Sequence, residues 1–412
     1  KLEQNEYVVL QINERMGDHD GEVNLVYSKG EKLSIGDAWI EDKNGNIIRK
    51  LKKNEIKDRS YIAGFSLYED DFVKSFHLKH NTYPYRIVYS YKLTKSRFAN
   101  IAIRDYRNRK IPVRKAVLEV ETSPDTRINY RQYNVSPPQI ETTDKSKNYK
   151  WTFSYTPPQN INEINNSPNT SDAPRIDIVP LDFKYGITGR LDTWKDFGIW
   201  SSKLNKDRDK LTPNEELKIK NLLFGIEDDR EKARMLYQYL QDYTRYVNVT
   251  INIGGLQTFP ASYVCDNKYG DCKALTNYMQ AMLKYIGIKS YYTIIKSSRK
   301  IYDIDDNFPY QASFNHVILT VPFEKDTVYL ECTSKNTPFG YIHTSIQGRK
   351  ALLVDGENSR LITIPSLKPD DVLCTRKIGI NLNTSELKME SMERGYNYEF
   401  SSFLSSDATV ND

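Results

Sequence analysis

A chain of 412 residues is longer than one hydrophobic core fills, so two or three domains are expected. Its 59 Lys and Arg against 54 Asp and Glu leave a formal charge of +5, too small over this length for a nucleic-acid footprint, and no basic block stands out. With 39% hydrophobic and 27% charged residues the balance is that of a globular protein, which excludes disorder along the whole chain, and the 30 tyrosines suit strands with amphipathic outer faces.

From residue 1 to 180 the pattern is one of strands, such as Tyr7 to Ile12 and Tyr85 to Tyr91, divided by turn residues without intervening helical periodicity. That arrangement predicts an N-terminal antiparallel β-sandwich domain. Asn44-Gly45, between Ile40 and Ile47, predicts a tight type I′ hairpin turn, whose two central positions need positive φ. The strand Trp151 to Tyr155 runs into Pro157-Pro158 and a stretch rich in Asn, Ser and Pro through Pro174, read as a linker. Residues 181–209 are a linking segment ahead of the next domain.

Helical periodicity opens at Thr212-Pro213-Asn214-Glu215, where Thr caps, Pro takes the first helical position and Glu215 completes a capping box. Asp228 to Glu231 repeats this logic ahead of Ala233, Leu236, Tyr237 and Leu240, which share one face of a helix ending near Tyr243. A Gly254-Gly255 loop follows. A third helix is predicted from Cys272, capped by Asp271, with Leu275, Tyr278, Met279, Met282, Leu283 and Ile286 on one stripe and Gly287 as its stop.

Three strands come next, Ser290 to Lys296, Phe314 to Val321 and Thr327 to Thr333, with a polar loop over 297–307 after the first. Residues 210–360 therefore form a central α+β core. Lys377 to Asn383 and Tyr396 to Leu404 are predicted strands in residues 366–412, too short a segment for a whole sandwich and read as part of a C-terminal β domain. The fold class is multidomain α+β.

Cys265, Cys272, Cys332 and Cys374 show neither CxxC pairing nor metal spacing with the five histidines, so no zinc site and no cofactor is assigned. The acidic run Asp303, Asp305 and Asp306 lacks the spacing of a calcium loop. No stretch reaches the roughly 18 apolar residues that span a bilayer. The chain begins at Lys1 without methionine, which raises the expectation that a preceding segment was removed.

Cys272 stands where a glycine turn opens an amphipathic helix, Lys268-Tyr269-Gly270-Asp271-Cys272-Lys273. Unpaired N–H groups and the positive end of the helix dipole favour thiolate there, and the same amides can hold an oxyanion. His316 lies in a strand, on one face with Phe314 and Ile318, partly desolvated. A general base also needs a partner that fixes its tautomer, and Glu331 is an acid inside the next strand, able to face His316 if the two strands are antiparallel neighbours. Taken singly, Cys272 reads more readily as a buried core thiol, and His316 equally as a core histidine with its hydrogen bonds met. Gln257, in the loop before the cysteine, is the candidate for a second oxyanion donor, the alternative being a solvated loop residue. Tyr269 reads as packing, Lys273 as exposed, Cys332 as core, His343 as at most a rim residue, and His19, His77 and His80 as surface.

Tyr269-Gly270-Asp271-Cys272-Lys273, then Asn315-His316-Val317, then Glu331 and Thr333 resemble, in order and spacing, the Cys, His and Asp boxes of the transglutaminase-like superfamily. Arg245-Tyr246-Val247, Gly254-Gly255 and the run Gly348 to Asp355 also look like its bacterial subgroup, which carries an N-terminal β domain of unknown function. Asp42 to Gly45, Glu55 to Asp58 and Ile111-Pro112-Val113 are similar to that domain. Two positions depart from the pattern: Glu331 replaces the usual aspartate, and Ala274 the acid common after Cys-Lys.

The resemblance implies a papain-like core with Cys272 as nucleophile, His316 as base and Glu331 as the residue that orients it. It also implies acyl-enzyme chemistry through a thioester, hence a cysteine peptidase or amidase acting on a peptide or protein substrate, cell-wall peptide included. Alternatives are a catalytically inactive peptide-binding or envelope-assembly module, and a protein cross-linking transglutaminase. The family's habits point to the periplasm, the cell envelope or secretion.

Overall fold

A computed structural model describes residues 1–61, 68–105, 111–158, 174–250, 253–300 and 303–399. Most of the linker read between Pro157 and Pro174 lies outside them. The chain gathers into two compact units, one of Lys1–Ile101, Phe183–Thr188 and Val247–Gln257, the other of Ala102–Asp182, Gly189–Tyr246 and Thr258–Asp412. The boundary at Ile101 and Ala102 falls inside the β-rich stretch that strand alternation alone leaves undivided.

In the first unit, strand Leu2–Ile12 turns every second side chain outward. It pairs antiparallel with Tyr85–Lys95, which pairs with Lys32–Glu41, which pairs with Ile47–Lys50. A second sheet sets Asp71–His77 between Glu22–Ser28 and Lys57–Tyr61. Inward residues of both sheets, among them Ile12, Ile40, Val23 and Phe76, share one core, as period two requires of a sandwich. The hairpin at Asn44-Gly45 is not the type I′ turn expected. Gly45 alone has positive φ, at 89°, and its N–H bonds the Asp42 carbonyl. The Asp42 carboxylate accepts from the Asn44 and Asn46 amides (2.8 and 2.9 Å), a local capture that favours the longer turn.

In the second unit, two three-stranded antiparallel sheets come first: Ile128–Tyr133, Arg175–Pro180 and Ala102–Asp105, then Ala116–Thr122, Lys147–Phe153 and Gln139–Thr142. Trp151 is fully buried, its ring 5.3 Å from that of Tyr130.

Residues 181–209 are more than a link. They contain a short hairpin and a helix, Trp194–Leu204, held by a full capping box between Thr193 and Asp196. That signal is as strong as the one at Thr212 and marks the helix in the sequence itself. Helices Pro213–Leu222, Asp229–Tyr243 and Cys272–Tyr285 begin at the caps expected, Thr212, Asp228 and Asp271. The capping box at Thr212 is incomplete, because Glu215 turns inward. Its buried carboxylate accepts from the Tyr239 and Tyr278 hydroxyls and pairs with Lys268. A further helix, Ala261–Asn267, precedes the cysteine.

A five-stranded antiparallel sheet follows in the order Thr327–Leu330, His316–Pro322, Tyr291–Ile295, Lys350–Leu353, Arg360–Thr363. Leu236, Leu240, Leu275, Tyr278, Met279 and Met282 from the helices meet Leu319, Val321 and Leu330 from this sheet in one core. Each such fully buried apolar side chain contributes about 1.5–3 kcal/mol. Gly287 follows the Cys272 helix with φ 81°, the left-handed stop expected.

In residues 366–412 the predicted strand Lys377 to Asn383 lies largely in Cys374–Asn381, but its partner is Glu386–Glu393. Tyr396 to Glu399, expected as strand, is helical, and 400–404 lie outside the described residues.

Candidate active site

The Cys272 helix places its sulfur. The Asp271 carboxylate accepts the Ala274 N–H at 2.9 Å, and its other oxygen takes the Lys273 ammonium at 2.5 Å. Lys273, expected as exposed, is therefore drawn in, with 12% of its side chain accessible. Ala274 is fully buried, and a Cβ built on Gly270 would stand 2.7 Å from the Ala274 Cβ. Gly270 therefore owes its lack of a side chain to the close approach of Ala274 in the turn that carries Cys272.

His316 is the first residue of its strand, and Cys272 lies within electrostatic reach of its imidazole. Glu331 Oε2 lies 2.7 Å from Nε2, so Nδ1 is the ring nitrogen left for the sulfur. The other carboxylate oxygen accepts the Thr333 N–H at 3.0 Å and its hydroxyl at 2.5 Å. His316 and Glu331 are thus paired inside the second unit, which also holds Cys272. Glu331 is only 9% exposed. Burial alone would raise its carboxyl, but the charge and hydrogen bond of His316 and the two bonds from Thr333 outweigh it and bring it down to about 2. Burial opposes charge on His316 as well. Glu331 and Cys272 overcome it and lift the imidazole well above its ordinary value.

Several supports were not legible as functional residues. The Tyr237 hydroxyl, on the apolar stripe of its helix, donates to the Glu331 carbonyl at 2.8 Å. One turn on, the Gln241 amide donates to the carbonyls of Ser334 and Thr337 at 2.9 and 2.8 Å, pinning the segment behind the acid. Ahead of the histidine, Trp194 Nε1 donates to the Asp305 carbonyl (2.9 Å) and its ring meets that of Phe314 at 5.3 Å. The Arg131 guanidinium lies 4.6 Å from the Phe308 ring centre and is paired at 2.9 Å with the buried Asp177. Tyr246 and Tyr292 both lie within electrostatic reach of Cys272 and Asp271, and Tyr246 also of Glu331. Tyr292 is buried, whereas Tyr246 is 47% exposed.

The other candidates have contacts of their own. Gln257 belongs to the first unit, where its N–H donates to the Ile253 carbonyl at 2.9 Å. His343 bonds the Thr337 hydroxyl at 2.7 Å and faces Glu399 at 3.6 Å. Cys332 is buried, which pushes its thiol up, and Tyr269 meets the Tyr263 hydroxyl at 2.6 Å. Among the described residues no cluster of His, Cys, Asp and Glu is arranged to hold a metal ion, and no helix is long and apolar enough to cross a membrane.

Residues 220–322 match the transglutaminase-like superfamily, and residues 1–160 match a domain of unknown function with a solved structure (DUF3857). No curated protein matches the chain. The crystal structure of a "putative protease" from Parabacteroides distasonis is similar over 88% of this chain and 68% of its own, with TM-score 0.67 and 16% identity, which shows a shared fold. That of a "putative cysteine protease" from Cytophaga hutchinsonii gives TM-score 0.26 and 10% identity over 71% of this chain and 84% of its own.

Proposed function

With a DUF3857 domain and a transglutaminase-like domain in one chain, we propose that the protein is a cysteine hydrolase that cleaves amide bonds in peptides or proteins through a thioester on Cys272. The observation that carries this reading is the 2.7 Å bond from His316 Nε2 to Glu331, on an imidazole within electrostatic reach of Cys272. An imidazole oriented by a buried carboxylate is the arrangement in which a histidine serves a nucleophile as base and the leaving group as acid.

The chemistry runs in two halves. The Cys272 sulfur attacks the amide carbonyl carbon, whose π pair moves to oxygen. As the carbonyl reforms, the C–N bond breaks and His316 gives its proton to the leaving amine. Neutral His316 then takes a proton from water, the hydroxide attacks the thioester, and the sulfur leaves as thiolate. Glu331 stays ionised throughout and stabilises the imidazolium at both ends of the cycle.

The test is a p-nitrophenyl acetate burst followed by mass spectrometry. The intact protein should release p-nitrophenol in proportion to its sites and carry acetyl on Cys272, and Cys272→Ala should do neither. Absence of burst and adduct in the intact protein would return the chain to the reading of an inactive binding module. Incorporation of a fluorescent primary amine into a glutamine-bearing protein would instead mark a cross-linking enzyme.

A further inference from the structure

Thioester formation passes through a tetrahedral oxyanion, and a site of this kind needs two donors aimed at it. The opening turn of the Cys272 helix supplies one from its backbone. Asp271 already uses two of the other amides there, its carboxylate taking the Ala274 N–H and its carbonyl the Leu275 N–H. A side chain beyond this turn is a further source of a second donor.

The two-residue strand Arg245–Tyr246 runs parallel to Tyr269–Gly270 and sets Tyr246 opposite Gly270, two positions before the cysteine. From there Tyr246 comes within electrostatic reach of Cys272, Asp271 and Glu331. Its hydroxyl has no hydrogen-bonding partner among the described residues, unlike those of Tyr237, Tyr239 and Tyr278, each of which is committed to a core acceptor. The residue is 47% exposed, so a substrate arriving from solvent can meet it. From this placement we infer that the Tyr246 hydroxyl is a catalytic hydrogen-bond donor to the substrate carbonyl oxygen as that oxygen takes on charge.

The inference rests on the hydrolase reading of Cys272. Burial, then the charges around the sulfur, push the Tyr246 hydroxyl up to about 12, so it keeps its proton across the neutral range and remains a donor. An O–H aimed at a growing negative charge binds the transition state more tightly than the neutral amide, which is the condition for raising a rate.

Tyr246→Phe removes the donor and keeps the ring. Two reactions of Cys272 separate its roles, because acylation by p-nitrophenyl acetate develops an oxyanion while alkylation by iodoacetamide does not. The variant should acylate about 10- to 100-fold more slowly and alkylate at the rate of the intact protein. Equal acylation in both proteins would overturn the assignment. So would a loss shared by acylation, alkylation and melting temperature, which would make Tyr246 a structural residue. An intact protein that shows neither burst nor alkylation faster than a free model thiol would instead sink the hydrolase reading, and Tyr246 with it.

Discussion

Glu331 Oε2 reaches His316 Nε2 at 2.7 Å from a point where the acid has already left the strand ladder. The last pair on that side is Leu319 with Leu330. One further step would set Glu331 opposite Ile318, which shares a face with His316, so carboxylate and imidazole stand on a diagonal of about 7–8 Å between backbones. An aspartate at this position would fall one methylene short. The glutamate is therefore fitted to its place on the diagonal. Glu331→Asp should lower kcat/KM by about 10- to 100-fold, as expected when a base is misplaced by about 1 Å. Activity equal to that of the parent would show that the diagonal contact is dispensable.

The same pair predicts two opposed arms in the pH dependence of stability. Glu331 falls from 4.5 to about 2 on folding, so its contribution is fully present above 4.5 and is lost as pH drops toward 2. His316 rises well above 6.5, so its contribution is fully present below 6.5 and is lost as pH climbs through the raised value. Urea midpoints for the intact protein should decline on both sides of a mildly acidic plateau. In Glu331→Gln the alkaline decline should flatten, because the larger of the two supports of the charged imidazole is then gone and Cys272 alone opposes burial. An unchanged alkaline arm in that variant would remove the pair as its cause.

For reactivity, the expectation concerns His316 as the partner of the sulfur. Iodoacetamide should modify Cys272 of the intact protein at pH 6 at least about 10-fold faster than that of His316→Ala, the loss expected when a nucleophile is parted from its base. Rates that coincide at every pH would dissolve the proposed dyad.

Much of this site was readable from local chemistry. Asp271 and Gly287 bracket the Cys272 helix because capping and left-handed termination are decided within a few residues. The strands of His316 and Glu331 were legible from alternation, and their pairing from the short turn between them. What escaped was long-range. Glu215 looked like half of a capping box because spacing cannot tell an acid folded back on its own turn from one drawn into a core by Tyr239 and Tyr278. Tyr237 and Gln241 read as an apolar stripe and its edge, although their polar tips hold the chain about 90 residues away. The strand expected at Tyr396 failed for a related reason. Exposed alternating residues such as Ile378, Ile380, Leu387 and Met389 form the hairpin instead, because that ladder closes over a turn of four residues at Leu382 to Ser385.

Tyr237 offers the most discriminating test of these hidden supports. Its hydroxyl donates 2.8 Å to the Glu331 carbonyl from inside a fully packed helix face, and its ring is 2% exposed. Phenylalanine would keep the packing and strand the carbonyl, at a cost of about 1–3 kcal/mol for a buried group left without a partner. The Glu331 side chain would keep its bonds to His316 and Thr333, so the effect on kcat/KM should stay below about 10-fold while the urea midpoint falls. If activity instead collapses at unchanged stability, the hydroxyl holds the acid in register for catalysis. If neither moves, a solvent molecule has replaced it and the contact contributes nothing.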